Sequence, residues 1–130
     1  MSTATIKHFT PREAKKTLPL VKKIVKDILD SGYQIRSIAE SMGGEDPQNN
    51  PEVRKLVSNV NYFMNELEEI GCYYKDWNFS IGIVDFPSII NDREVFLCWR
   101  SDEEDILYYH GIEDGYMGRK PIPNKYFTNN

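Results

Sequence analysis

The fold of this chain is decided by residues 50–71, whose sequence is NPEVRKLVSNVNYFMNELEEIG. Asn50 supplies a side-chain cap, and Pro51 stands at the first helical position, where its missing N–H costs nothing. Apolar residues then recur at spacings of three and four until Gly71, which favours a helix end. They are Val53, Leu56, Val60, Phe63, Leu67 and Ile70. The segment predicts a helix over residues 51–70 with one apolar side.

A second helical pattern precedes it. Thr10, Pro11 and Glu13 form the parts of a capping box, and an apolar seam then alternates by four and three, which predicts a helix over 11–42. Pro19 predicts a bend near residues 15–19, and Gly32 marks either a close approach or a break. The turn-rich loop after this helix is short, so we expect the two helices to form a long antiparallel hairpin.

The remainder of the chain is rich in aromatic residues and predicts short strands. We expect an antiparallel β-meander of about four strands over residues 72–110 and a C-terminal extension over 111–130. The expected strands are Cys72–Lys75, Ile81–Phe86, Glu94–Arg100 and Asp105–His110, with one turn at Pro87–Arg93. The predicted fold class is α+β, as a single domain over residues 1–130.

Composition narrows the class of protein. The chain has 130 residues, 40% hydrophobic and 28% charged, with a net charge of −4, which is typical of one globular domain. No apolar run is long enough to span a bilayer, and the first residues lack a secretory leader, so we expect a cytoplasmic protein with no membrane partner. Two cysteines are too few for a disulfide scaffold.

Several ordered motifs resemble one family of small prokaryotic proteins, the domain of unknown function 2203 family. They are Phe9–Ala14 with Leu18-Pro19, Leu67–Gly71, Lys75-Asp76, Gly82–Pro87, Arg93–Arg100, and His110 followed by Asp114-Gly115 and Gly118-Arg119. At Trp77-Asn78-Phe79 the sequence departs from the family pattern, which is a proline-led polar turn at this point. The resemblance implies the fold boundaries and a cytoplasmic setting, and it implies no activity, substrate or cofactor.

Charged residues inside or beside apolar strands are the candidate site residues, because such a charge must be paired or serve a purpose. In one interpretation Asp85 orients His110 as a proton carrier, and Arg100 binds an anionic group. In the other, Asp85 and Arg100 form a structural ion pair, and His110 caps the turn at Gly111. The first interpretation makes Asp85, Arg100 and His110 the candidate catalytic residues.

A divalent-metal site is a further alternative, built from His110, Glu113 and Asp114. Gly111 and Gly115 favour a loop over a helix here. We therefore predict no cofactor and keep the divalent metal as an alternative. Cys98 lies between two large apolar residues, which favours a small buried group over a nucleophile. The basic residues of the first helix, Arg12 to Lys26, are interpreted as complementary to the acidic end of the second helix, which disfavours a nucleic-acid partner.

These observations leave the function of the chain open. Apolar residues remain on the far side of both helices, namely Leu20, Ile24, Leu29, Ile38, Val57 and Met64. We therefore expect a non-enzymatic binding or interaction protein that self-associates as a homo-oligomer through the helical hairpin. The alternative is a small enzyme or a binding protein for a small anionic ligand. Its site would contain Asp85, Arg100, His110, Glu113 and Asp114.

Overall fold

Two helices come first, and their bounds match the sequence prediction to within one residue. In the computed structural model, which describes residues 6–128, α1 spans Pro11–Ser41 and α2 spans Pro51–Ile70. The Thr10 hydroxyl accepts the Glu13 N–H, and the Glu13 carboxylate accepts the Thr10 N–H, which completes the capping box. The expectation of no leader falls partly on residues 1–5, which lie outside the described part.

Particular glycine and proline residues determine where the helices end and how they pack. α2 stops at Gly71, whose φ of 111° suits a residue without a β-carbon. α1 continues through Pro19 and Gly32 as one helix. Gly32 is a close-approach point, because a β-carbon built there would lie 2.8 Å from the Phe79 β-carbon. Because Gly32 has no β-carbon, the loop that carries Phe79 can pack against α1.

The second half forms a five-stranded antiparallel sheet in the order β1-β2-β3-β4-β5. The strands are β1 Tyr73–Tyr74, β2 Ile83–Ile90, β3 Arg93–Arg100, β4 Tyr108–Gly111 and β5 Lys120–Pro121. The prediction of an α+β fold with a meander is confirmed, and the number of four strands is corrected to five. The fifth comes from the predicted C-terminal extension, where two residues are too few to show an alternating pattern.

The predicted turn at Pro87–Arg93 is wrong, because β2 continues through Pro87 to Ile90. Pro87 fits within this strand because its carbonyl accepts the Phe9 N–H on the side away from β3. Its missing N–H is therefore not required by the β2–β3 ladder. The chain instead reverses at Asn91 and Asp92, whose φ angles of 53° and 64° are those of a two-residue hairpin turn.

The sheet has a helix side and an outer face. Val84, Phe86, Leu97 and Trp99 are buried in one core with the apolar seam of α1. The outer face, defined here by Asp85, Pro87, Phe96, Cys98, Tyr108 and His110, points the other way because side chains alternate along each strand. None of the helices among residues 6–128 is both long and apolar enough to cross a membrane.

Candidate functional site

The outer face carries a buried polar cluster at its centre. Asp85 lies on β2, Cys98 lies directly opposite it on β3, and His110 on β4 pairs with Phe96, two residues along β3 from Cys98. All three residues are buried, with exposed fractions of 5%, 0% and 3%. Strand register therefore places three chemically reactive side chains together on one face of the sheet.

His110 is held through both of its ring nitrogens. Nε2 lies 3.1 Å from Asp85 Oδ1, and Nδ1 lies 2.9 Å from the Gly111 carbonyl oxygen. Burial disfavours the charged imidazole, but interactions with Asp85, with Cys98 and with the Gly111 carbonyl outweigh it and raise the pKa of His110 to about 10. His110 and Asp85 therefore form a buried ion pair at neutral pH.

Arg100 does not join this cluster. Its guanidinium donates to both Asp102 oxygens at 2.6 Å and also to the Tyr116 hydroxyl. The Asp85–Arg100 ion pair considered from the sequence is not formed, because the Asp102 carboxylate, two residues beyond Arg100 in the chain, satisfies the guanidinium. The predicted association of Asp85 with His110 is present in the geometry, while Arg100 is engaged elsewhere.

The metal set considered from the sequence is not assembled either. Glu113 is exposed, and Asp114 Oδ2 accepts the Gly111 N–H at 3.2 Å, so Asp114 caps the turn that follows β4. In residues 6–128 the group of possible metal ligands is Asp85, Cys98 and His110, whose donor atoms all lie within 4.8 Å of one another. Cys98 was interpreted from the sequence as a buried apolar group, and its burial agrees with that interpretation.

Part of the C-terminal extension covers one side of the outer face. The Arg119 guanidinium lies 4.3 Å from the Tyr108 ring and 4.7 Å from the Tyr116 ring, and it binds Glu103 at 2.9 Å. Desolvation acts against the charge, but the Glu103 carboxylate raises the pKa of Arg119. These contacts hold the residues after β4 against the sheet beside Cys98.

An apolar slot of about 330 Å³ lies beside the cluster on the same face. Phe96 connects the two, since its ring is 5.6 Å from the His110 ring and also lines the slot. Ile6 and Ile112 line the slot and are 56% and 53% exposed. The charged lining residues are Lys75, His8 and Glu94. The sequence prediction missed this slot because its walls come from five separate segments.

The basic residues of α1 have partners other than those expected. Lys15 binds Asp105 at 2.9 Å, and Lys22 donates to the Glu104 carbonyl at 2.7 Å. Lys26 binds Asp30 one turn further along the same helix. These three lysines therefore contact the acidic turn after β3 or their own helix, rather than the acidic end of α2 that was predicted.

The fold and the site define an α+β protein in which two helices precede a five-stranded meander with a buried Asp–Cys–His cluster. The chain belongs to the DUF2203 family, described as an uncharacterized conserved protein, whose model matches residues 7–122. The match confirms the resemblance drawn from the motifs. No curated protein and no solved structure matches the chain.

Proposed function

We propose that this protein is a small-molecule binding protein whose ligand is a compact apolar compound with an anionic group. The single observation that supports the proposal is the apolar slot on the outer face. Ligand sites are concave, mostly apolar and of a few hundred Å³, with a few polar groups that fix orientation. The slot of about 330 Å³ has this size and composition.

Lys75 is the group that favours an anionic ligand. Its ammonium lies 5.8 Å from the Phe96 ring centroid, at the edge of the slot, and it makes no salt bridge within residues 6–128. The Glu94 carboxylate already has a partner within the slot, since His8 Nε2 lies 3.0 Å from Glu94 Oε1. An apolar body would therefore rest on Phe96 and Ile112 while its anionic end faces Lys75.

Two fluorescent probes of similar shape test this proposal. 8-Anilinonaphthalene-1-sulfonate carries a sulfonate, and N-phenyl-1-naphthylamine is its uncharged analogue. We expect saturable binding of both, weakened by Ile112→Asp, with Lys75→Gln weakening only the charged probe. Leu107→Asp is the matched control, because Leu107 is 47% exposed and does not line the slot. Binding that is unchanged in both slot variants would contradict the proposal.

A second candidate function is self-association through the helices, favoured by a different observation. Of the six far-side residues named from the sequence, Leu20 is 52% exposed, whereas Ile24 is buried in the core and the other four are partly buried. Tyr33 on α1 and Tyr62 on α2 add exposed aromatic surface, at 67% and 63%. The two helices are consecutive, pack into one core and are joined by a short segment, which supports an antiparallel hairpin as the contact unit.

Sedimentation velocity at micromolar concentration tests this second candidate. The wild-type chain should sediment as a dimer, and the Leu20→Glu and Tyr62→Glu variants should shift it toward the 15.2 kDa monomer. A wild-type chain that remains monomeric across the concentration range would end the self-association hypothesis. The slot proposal does not depend on this result.

We also propose that the protein works in the cytoplasm. Cys72 and Cys98 are both free and buried, and free thiols are usual in a reducing compartment.

A further inference from the structure

The buried cluster on the outer face contains one nitrogen, one sulfur and one oxygen donor. The donor atoms of Asp85, Cys98 and His110 lie within 4.8 Å of one another, and each residue is at least nine-tenths buried. They project from three neighbouring strands whose register fixes their positions. The backbone positions of the three residues are therefore set by the sheet ladder rather than by a loop.

The orientation of His110 is the second observation. Its Nδ1–H donates to the Gly111 carbonyl at 2.9 Å, which fixes the ring and directs Nε2 at Asp85. Histidine ligands in metal sites usually donate their other ring N–H to a carbonyl or carboxylate in this way. The outer support that a metal-binding imidazole needs is therefore already present.

We propose that Asp85, Cys98 and His110 bind one divalent transition-metal ion, with zinc as the ion that their chemistry fits best. Zinc accepts cysteine sulfur, histidine nitrogen and carboxylate oxygen at about 2.0–2.3 Å, so tetrahedral donors lie about 3.3–3.8 Å apart. The 3.1 Å between His110 Nε2 and Asp85 Oδ1 is near this spacing, whereas other donor pairs lie up to 4.8 Å apart and would close by up to about 1 Å through side-chain torsions on binding. The fourth position would be filled by water or by another small ligand.

Metal binding at this cluster is accompanied by proton release. Thiol and imidazole ligands bind a metal ion in their deprotonated forms, so Cys98 would bind as a thiolate and His110 through an unprotonated Nε2.

The same geometry disfavours a catalytic cysteine. Cys98 is 0% exposed, so a substrate has no direct access to its sulfur. Both nitrogens of His110 already face acceptors, so the imidazole has no free lone pair to take the thiol proton. A metal ion meets the second requirement because it replaces the protons, and it needs a smaller opening than a substrate does.

Cobalt(II) titration of the tag-free, chelator-treated full chain tests the site. We expect one ion per chain with a thiolate-to-cobalt charge-transfer absorption, displacement by zinc, and release of protons on binding in weakly buffered solution. Cys98→Ser should abolish the charge-transfer absorption, and Asp85→Asn should weaken binding at least about tenfold. Cys72→Ser is the matched control, because Cys72 is the other buried thiol and lies outside the cluster.

Other outcomes overturn the proposal. They are the absence of a charge-transfer absorption in the wild-type chain, its persistence in Cys98→Ser, its loss in Cys72→Ser, or cobalt bound without proton release as an adventitious surface ion only. If Cys98→Ser does not fold by circular dichroism, the wild-type absorption and proton count together with Cys72→Ser still decide the matter.

Discussion

Asp85 on β2 and His110 on β4 are joined by a 3.1 Å contact across the strand that lies between theirs, with side chains only 6% and 4% exposed. A charge pair buried this deeply depends on both partners, because removal of one leaves the other without compensation. The contact therefore connects three strands of the sheet through a single interaction.

The first prediction concerns this pair. His110→Gln should lower the free energy of unfolding by about 3–5 kcal/mol, because it leaves the Asp85 carboxylate buried without its counter-charge. The double variant Asp85→Asn/His110→Gln should lose less than the sum of the single variants, since two neutral amides can hydrogen-bond each other. Urea denaturation measures the free energy of unfolding of the wild-type chain, of Asp85→Asn, of His110→Gln and of the double variant. His8→Gln is the control, because the exposed His8–Glu94 pair should contribute at most about 1 kcal/mol. Additive losses at Asp85 and His110 would show that the pair does not couple.

The second prediction concerns pH. The pKa of His110 is raised from 6.5 to about 10, so between these values the folded chain holds a proton that the unfolded chain releases. The resulting stability is fully present below pH 6.5 and is lost as the pH rises toward 10, with a slope of up to about 1.4 kcal/mol per pH unit.

Denaturation of the metal-free wild-type chain and of the double variant Asp85→Asn/His110→Gln at several pH values isolates this contribution, because the double variant lacks both titratable groups of the pair. The difference in unfolding free energy should shrink steadily over this range. A difference that stays constant would mean that His110 has the same pKa in the folded and unfolded chains.

The third prediction concerns Gly32. Alanine usually stabilises a helix interior relative to glycine by roughly 0.5–1 kcal/mol. Gly32→Ala should instead destabilise the protein by about 1–3 kcal/mol, because its β-carbon would lie 2.8 Å from the Phe79 β-carbon. Thermal denaturation measures the change. In a Phe79→Gly background the same substitution should become stabilising, and an equal cost in both backgrounds would place its cause elsewhere.

The fourth prediction concerns the turn between β2 and β3. Asp92 has a φ of 64°, a conformation that glycine adopts without strain. Asp92→Gly should raise the unfolding free energy by about 0.5–1 kcal/mol, and Asp92→Ala should lower it. Urea denaturation distinguishes the two. A loss of stability in Asp92→Gly would mean that the Asp92 side chain supports the turn through its own contacts.

Local signals in the sequence were sufficient for the helices. The cap at Thr10 and the cap at Asn50 each combine a side-chain acceptor with a following proline, and these features act within a few residues. The helix side of β3 is local in the same sense, because Val95, Leu97 and Trp99 share one face through alternation along the strand.

The site was less predictable because it depends on register. With a turn placed at Pro87–Arg93, the partner of Asp85 on the next strand was undetermined, so Cys98 could not be assigned to it. The position of Pro87 depends on the Phe9 N–H, a contact across most of the chain that no local pattern reveals. The partners of Lys15 and Lys22 were misassigned for the same reason, since both reach the turn after β3.

The two-residue turn at Asn91 and Asp92 fixes which residue of β2 lies opposite each residue of β3. Side chains alternate between faces, so one residue inserted into β2 between Asp85 and Asn91 would turn Asp85 toward the hydrophobic core and leave Cys98 where it is. Insertion of two residues would return Asp85 to the outer face but displace it by two residues along β3, away from Cys98. Chains with this sheet but a hairpin of different length would therefore keep the architecture and lose the chemistry of its outer face.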